Sequence, residues 1–416
     1  MYTLGIRFYE LALRVAAARN RKARLMLDGR KLALPLIERV RKPGERWVWV
    51  HAASLGEFEQ GRPLMERIRA EHPELKIALT FYSPSGYEVR KNYPGADLVA
   101  YLPADTPGAM RRFIDALNPE LAVIVKYEFW RNMLCELKRR GIRTILISAI
   151  FRPDQLFFKP WGGWYRQMLR CFSHLYVQDE GSRKLLASVG IENVTVAGDT
   201  RFDRVTDIMK GTREIPALDA FTAGGTRFTL IFGSSWGADE DVYFPWLRSR
   251  QGGVKAIIAP HEFDAPRLEK MRSRLSPMRV VLLSEVEANP SAAAGADVLI
   301  IDCFGLLSSA YRYGSIAYIG GGFGAGIHNI NEAAVYGIPV IFGPRHQKFL
   351  EASELIAAGG GFSISSAEEF AALMDGGKRK KGLTEPACRR KAGDAAGAYI
   401  RSKLGATDII YNSLMS

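Results

Sequence analysis

Residues 47–57 read Trp-Val-Trp-Val-His-Ala-Ala-Ser-Leu-Gly-Glu. Trp47–His51 is an aromatic and β-branched run of the kind that forms a buried strand. The chain then turns at once into a helical pattern: Gly56 permits a tight turn and Glu57 falls in the first helical turn. A strand that hands over to a helix within a few residues is the βα unit of a parallel sheet. The same grammar recurs outward, with strands predicted at Ile77–Phe81, Leu98–Tyr101, Leu121–Val125, Thr144–Ser148 and Leu175–Val177 and helices between them. Asp207 to Thr226, rich in Gly, Pro and polar residues, breaks the pattern and reads as a linker. It then restarts at Phe228–Phe232, Ala256–Ile258, Val280–Leu283, Val298–Ile301, Ile316–Ile319 and Val340–Phe342. The fold class is therefore α/β, two doubly wound Rossmann-like domains facing across a cleft, with ligands expected at the carboxyl ends of the strands. The expected limits are an N-terminal segment over 1–45, a first domain over 46–206, the linker over 207–226, a second domain over 227–384 and a helix over 385–416. That last, alanine-rich helix either caps the second domain or crosses back to the first.

A chain of 416 residues, 47% hydrophobic and 24% charged, has the balance of an ordinary globular protein, which excludes disordered, collagenous and disulfide-scaffold classes. Cys135, Cys171, Cys303 and Cys388 are far apart and no His stands at zinc-ligand spacing, so neither a disulfide framework nor a metal knuckle is indicated. The net charge of +13 suits a phosphate-rich or anionic-membrane partner. Residues 1–46 hold twelve basic against four acidic residues, so eight of those surplus charges lie in a tenth of the chain. On a helix, Leu4, Phe8, Leu11, Val15 and Ala18 share one stripe bordered by Arg7, Arg14, Arg21 and Arg19. This amphipathic basic helix reads either as a monotopic membrane anchor or as a first helix packed on its domain. No run is long and apolar enough to span a bilayer, and Arg14 interrupts the best candidate for a signal-peptide core, Leu11 to Ala18. Nucleic acid is disfavoured, because the basic residues cluster on one helix and no recognised binding module is present.

Several constellations fall at strand ends. Glu57 is placed to face the cleft, where a helix start favours an ionised carboxylate able to accept a proton; a glutamate there also serves simply to stabilise the helix dipole. Lys126-Tyr127-Glu128-Phe129-Trp130-Arg131-Asn132 follows another central strand, so Glu128 is either a second cleft acid or the partner of Lys126 or Arg131. Gly198-Asp199-Thr200-Arg201-Phe202-Asp203 closes the first domain, with Arg201 suited to bidentate contact or to pairing with its own aspartates. In the second half, Gly233-Ser234-Ser235, Pro260-His261-Glu262 and Asp302-Cys303-Phe304-Gly305-Leu306 each follow a strand. The densest signal is Gly320-Gly321-Gly322-Phe323-Gly324-Ala325-Gly326-Ile327-His328-Asn329-Ile330-Asn331-Glu332, a glycine run that admits a ligand to the backbone and leads into a helix start with an acid for a ribose. Its spacing is not that of a nicotinamide site.

Taken together, these strings resemble the Kdo transferases, glycosyltransferases of the GT-B fold that move 3-deoxy-D-manno-octulosonic acid (Kdo) from CMP-Kdo to a lipid A precursor in lipopolysaccharide synthesis. HAASLGE is similar to the family's His-x-x-Ser-x-Gly-Glu signature, YEFW to its glutamate-containing segment, and GDTRFD to a Gly-Asn-x-Lys-Phe-Asp segment. The resemblance implies an inverting transfer with Glu57 as proton acceptor and Glu128 and Arg201 as the transition-state pair, an arginine standing where the family has lysine. It implies CMP contacts at Pro260, His261, Phe304, Gly305, Leu306, Asn329, Ile330, Asn331 and Glu332; many relatives carry arginine at the position of His261 and an acid at that of Leu306. The first domain would then bind the acceptor and the second the CMP-sugar, with no metal or cofactor. The phosphorylated glycolipid acceptor (lipid IVA) favours attachment to the anionic membrane surface, on the cytoplasmic face of the inner membrane. The alternatives are another GT-B enzyme using a UDP-sugar, or a non-catalytic protein that binds a nucleotide-sugar or lipid A.

Overall fold

The computed structural model describes residues 2–211, 213–223, 228–377 and 380–415. The chain divides into two compact units. The first holds Met1–Asp203 and Leu404–Ser416, the second Arg204–Lys403.

In the first unit the strands are β1 (Trp47–Ala52), β2 (Lys76–Phe81), β3 (Leu98–Tyr101), β4 (Leu121–Val125), β5 (Arg143–Ala149), β6 (His174–Val177) and β7 (Val194–Val196). They form one parallel sheet in the order β3-β2-β1-β4-β5-β6-β7. Side chains alternate between the faces of a strand. Trp47 and Trp49 accordingly enter one apolar cluster, with Phe113, Leu117 and Leu134, while Val48, Val50 and Ala52 enter the other, with Phe58, Leu64 and Ile68. Burial on both faces is what makes the β1 run continuously apolar rather than alternating.

The second unit repeats the plan with β8 (Thr229–Ser235), β9 (Lys255–Pro260), β10 (Val280–Leu282), β11 (Val298–Ile300), β12 (Ile316–Ile319), β13 (Val340–Phe342) and β14 (Gly361–Ser363). Their parallel order is β10-β11-β9-β8-β12-β13-β14. In each sheet the first strand of the unit is flanked by strands wound in opposite directions, so the crevice that binds ligands in such folds lies at the carboxyl ends of β1 and β4 and of β8 and β12.

All twelve expected strands are present; β7 and β14 were not expected. Both are three-residue edge strands, too short to carry a period. Two segments differ from expectation. Pro216–Thr222, inside the expected linker, is a helix that buries Ala217, Leu218 and Phe221 in the second unit. Pro216 starts it, at the one helical position where a missing N–H costs nothing. The expected C-terminal helix is two, Pro386–Ser402 in the second unit and Ala406–Met415 in the first, separated at Gly405, whose φ of +100° ends a right-handed helix.

The N-terminal segment forms two helices, Tyr2–Ala17 and Arg21–Val40, the second capped by the Asn20 side chain. Helix 21–40 buries Ala23, Met26, Ala33 and Ile37, whereas helix 2–17 buries nothing. It is tied to the first unit by polar contacts: Tyr2 donates to Asp105 (2.6 Å) and Glu10 pairs with Arg30. Leu4, Phe8, Leu11 and Val15 are left 56%, 64%, 56% and 72% exposed. No helix among the described residues is long and apolar enough to cross a membrane.

Candidate active site

Two of the expected site residues meet the crevice of the first sheet. Glu57 sits in the first turn of helix 55–71, directly after β1, and accepts a hydrogen bond from Ser54 Oγ, the residue that precedes the helix. Glu128 lies in the loop after β4, which leaves the strand through Lys126 in a left-handed conformation (φ +64°). β1 and β4 pair directly, with His51 opposite Ile124, so the segments that carry the two glutamates follow adjacent strands at the topological switch point.

Glu128 pairs with neither Lys126 nor Arg131, the two ion pairs its neighbours in sequence suggest. Arg131 lies over the ring of Trp164 (5.3 Å). The carboxylate is 12% exposed, and its Oε2 accepts from His51 Nε2 (2.9 Å) and Trp130 Nε1 (2.6 Å). Burial opposes ionisation, but the His51 hydrogen bond and charge, together with the indole N–H, hold its carboxyl below the usual range. His51 is fully buried, with Nδ1 2.9 Å from Thr80 Oγ1, which in turn accepts from Trp49 Nε1 (2.8 Å).

Arg201 opens helix 201–210 and makes a fork onto Asp199, with Nε and Nη2 at 3.0 and 2.7 Å from Oδ2. Gln60 Nε2, one turn beyond Glu57 on the same helix, reaches both oxygens of Asp199 (3.1 Å each). Asp199 is buried. Desolvation pushes its carboxyl up, but Arg201 and the Gln60 amide outweigh it and hold the group below its ordinary range. Thr200 locks the same segment to the helix through Gln60 O and to β5 through Ser148 (2.9 Å). Arg201 thereby belongs to the same sheet edge as Glu57.

In the second unit, Pro260, His261, Phe304 and Gly305 line one pocket of about 380 Å³ with Ser234 and Phe263. Leu306 lies beside it; Leu307, not Leu306, contributes to the wall. His261 stacks on Trp236 (centroids 4.2 Å) and on His328 (5.0 Å), whose Nε2 accepts from Trp236 Nε1 (3.3 Å), and its own backbone N–H is held by Ser235 O (2.9 Å). Burial and the neighbouring His261 press the imidazole of His328 toward its neutral form.

The glycine run after β12 is shaped first by packing. A Cβ on Gly320 would overlap the carbonyl of Ser234, and one on Gly322 would meet the backbone of Gly343 at 2.6 Å. Buried Asp239 ties the run to the strand beside it, accepting from the Gly321 N–H (3.0 Å), the Trp236 N–H (3.0 Å) and the Tyr318 hydroxyl (2.9 Å). The expected helix start is a single turn, Asn331–Ala334. Asn329 orients Glu332 by a hydrogen bond from Nδ2 to Oε1 (3.0 Å), and its Oδ1 holds the Asn331 N–H (3.1 Å). Ile330 and Asn331 are buried, and Asn331 Oδ1 has no hydrogen-bond partner among the described residues. These four residues do not line the 380 Å³ pocket. Glu332 instead lies near Tyr311, whose phenol is raised by burial and by that charge, and whose hydroxyl stands over Gly233 at the end of β8.

Sequence reasoning missed His51 and Trp130 as partners of Glu128, and Thr80 as the partner of His51. The available signal was strand parity: His51 shares a face with Trp49, not with the outward side of the β1 turn.

Two doubly wound parallel sheets of seven strands define the class: a GT-B-like fold. Solved structures of that architecture include the UDP-GlcNAc 2-epimerase of Neisseria meningitidis (TM-score 0.57, 15% identity, 89% of this chain and 99% of that one) and the MurG of Acinetobacter baumannii (TM-score 0.54, 11% identity, 89% and 99%). At such identities the likeness is of fold alone. Residues 21–204 match the family model of 3-deoxy-D-manno-octulosonic-acid transferase (kdotransferase). The 3-deoxy-D-manno-octulosonic acid transferase of Aquifex aeolicus (strain VF5) is 26% identical over 78% of this chain and 83% of its own length, and that of Bordetella pertussis 27% identical over 86% and 85%. The chain is a homologue of the Kdo transferases, a glycosyltransferase family, as its motifs implied.

Proposed function

We propose that this chain is an inverting glycosyltransferase that moves Kdo from CMP-Kdo to a lipid A precursor, lipid IVA. The observation that carries the reading is the placing of Glu57 and Glu128 after the paired strands β1 and β4, one in a helix's first turn and the other held as an anion by His51 and Trp130.

In this reading Glu57 takes the proton of the acceptor hydroxyl. The freed oxygen attacks the anomeric carbon of Kdo, the bond from that carbon to the CMP phosphate oxygen breaks, and CMP leaves with the electron pair. Glu128 and Arg201 hold the sugar as positive charge develops on it and negative charge on the leaving group. Arg201 does so from a fixed position, because its fork is already engaged by Asp199. The second unit binds CMP through Pro260, His261, Phe304, Gly305 and Leu306 and through Asn329, Ile330, Asn331 and Glu332.

The exposed stripe of helix 2–17, flanked by arginines, supports a peripheral seat on an anionic bilayer at the cytoplasmic face of the inner membrane. Incubation with freshly generated CMP-Kdo and a tetraacyl disaccharide bisphosphate, followed by mass analysis of the lipid, tests the activity. A gain of one or two Kdo units is the expected result, with inhibition by CMP and not by UDP. An unchanged lipid, or protection by UDP instead, sinks the reading in favour of another nucleotide-sugar enzyme.

A further inference from the structure

The hydrogen-bond chain behind Glu128 runs Trp49, Thr80, His51, Glu128. An indole N–H only donates, so Thr80 Oγ1 accepts from Trp49 and has its own hydrogen to give. A neutral His51 that takes it at Nδ1, 2.9 Å away, carries its ring hydrogen on Nε2, facing Glu128, the tautomer that a carboxylate acceptor selects. A cationic ring reaches the same end, since Nδ1–H then finds Thr80 O at 3.2 Å and Nε2–H still points to the carboxylate. Trp130 adds a second obligate donor to the same oxygen, Oε2. Two donors on one oxygen exclude a proton there, and neither touches Oε1.

We propose that His51 is the positioning residue of Glu128: with Trp130 it clamps Oε2, keeps the group an anion through the reaction, and presents Oε1 to the transferred sugar. This deepens the proposed function and rests on its placing of Glu128 at the sugar. Glu128 then stabilises charge without exchanging a proton, a division of labour in which Glu57 alone acts as base.

The groups packed around the clamp are Tyr82, stacked on Trp130 (4.8 Å) with Arg30 over its ring (4.8 Å), and Arg131 over Trp164. Lys126 stands two residues before Glu128, its ammonium over the Tyr127 ring (5.6 Å). Asp105 is taken up by Tyr2 and the Asn132 and Met133 N–H groups. Of the charged side chains here, His51 is the one hydrogen-bonded to Glu128 among the described residues.

The test compares wild type with His51→Leu, His51→Gln and Thr80→Val, each checked for its thermal unfolding and for CMP binding. Two readouts are taken across pH 4–9: kcat and KM for Kdo transfer, and the 13C carboxyl shift of Glu128, assigned by its loss in Glu128→Gln. His51→Leu is expected to lower kcat at least tenfold near neutrality with KM for the donor nearly unchanged. It should also move the acid limb of kcat and the Glu128 titration to higher pH together. His51→Gln, whose amide keeps a donor, should restore most of both. A folded His51→Leu protein with the wild-type titration and pH profile overturns the proposal. Should that variant not fold, Thr80→Val, which removes the hydrogen given to Nδ1, decides by the same two readouts. The carboxyl titration needs no substrate, so a failure of His51 as positioner is told apart from a failure of the transferase reading; wild-type kcat in Glu128→Gln would sink the latter's placing of Glu128.

Discussion

Glu57 is the residue on which the proposed chemistry turns. Glu57→Gln keeps the shape of the helix start and removes the proton acceptor; transfer should fall by about two to four orders of magnitude, as for loss of a general base, while CMP binding measured calorimetrically stays as in wild type. Arg201 has a structural share as well as a proposed catalytic one. Its partner Asp199 is buried, and Arg201 itself is 35% exposed, so Arg201→Gln should cost about 2 kcal/mol of stability at neutral pH once solvent screening of the fork is allowed for. The sign of its pH dependence follows from the lowered Asp199 carboxyl. Stability from that carboxylate is present above the unfolded value, near pH 4, and is lost as pH falls through the folded value. The gap between variant and wild type in urea unfolding should therefore be widest at pH 6–8 and shrink in acid. At this scale the sequence disclosed which residue types stand at which strand end, but not their partners. For Glu128 the sequence offered, beside the role of a cleft acid, only Lys126 or Arg131, its neighbours along the chain, as partners. Its partner is His51, 77 positions away, because strand pairing across the sheet, not proximity in sequence, sets what a loop acid meets.

Among elements, helix 2–17 and the loop after β12 make opposite uses of the same kind of signal. The helix carries an apolar stripe that the unit leaves in the open, so Phe8→Asp with Leu11→Asp should leave thermal unfolding unchanged. Binding to phosphatidylglycerol vesicles should weaken more than tenfold, given about 1.5–3 kcal/mol for each large apolar side chain moved from water to hydrocarbon. Cosedimentation at two salt concentrations reads both the apolar and the charged part. The glycine loop, which the sequence presented as a ligand cradle, has glycines that packing demands. Gly320→Ala should destabilise the second unit by about 1–3 kcal/mol, since its Cβ would overlap Ser234 O, whereas Gly324→Ala meets nothing nearer than 3.5 Å and should be neutral in the same denaturation curve. Strands were the most legible elements, because burial on both faces writes them as unbroken apolar runs such as Leu121–Val125. The edge strands β7 and β14 were not, having three residues each and one neighbour apiece.

At the level of the whole chain, the C-terminal helix is a strap that returns to the unit the chain began with. Ile410, Tyr411 and Leu414 are buried in the first unit's core beside helix 55–71, and Gly405 and Thr407 N–H groups are held by Asp203. Truncation after Lys403 should destabilise the first unit by several kcal/mol, at about 1.5–3 kcal/mol for each buried side chain, and leave intact the CMP binding proposed for the second unit. Limited proteolysis with and without CMP reads the two units separately. The sequence by itself determined the two-fold α/β plan and the family resemblance, since strand–turn–helix alternation and motifs at strand ends are local properties of the string. Only the tertiary structure decided that residues 216–222 join the second unit, that 406–415 rejoin the first, and that His51 holds Glu128. Those outcomes depend on which apolar faces and which donors find each other across long separations, and no period or spacing along the chain records that.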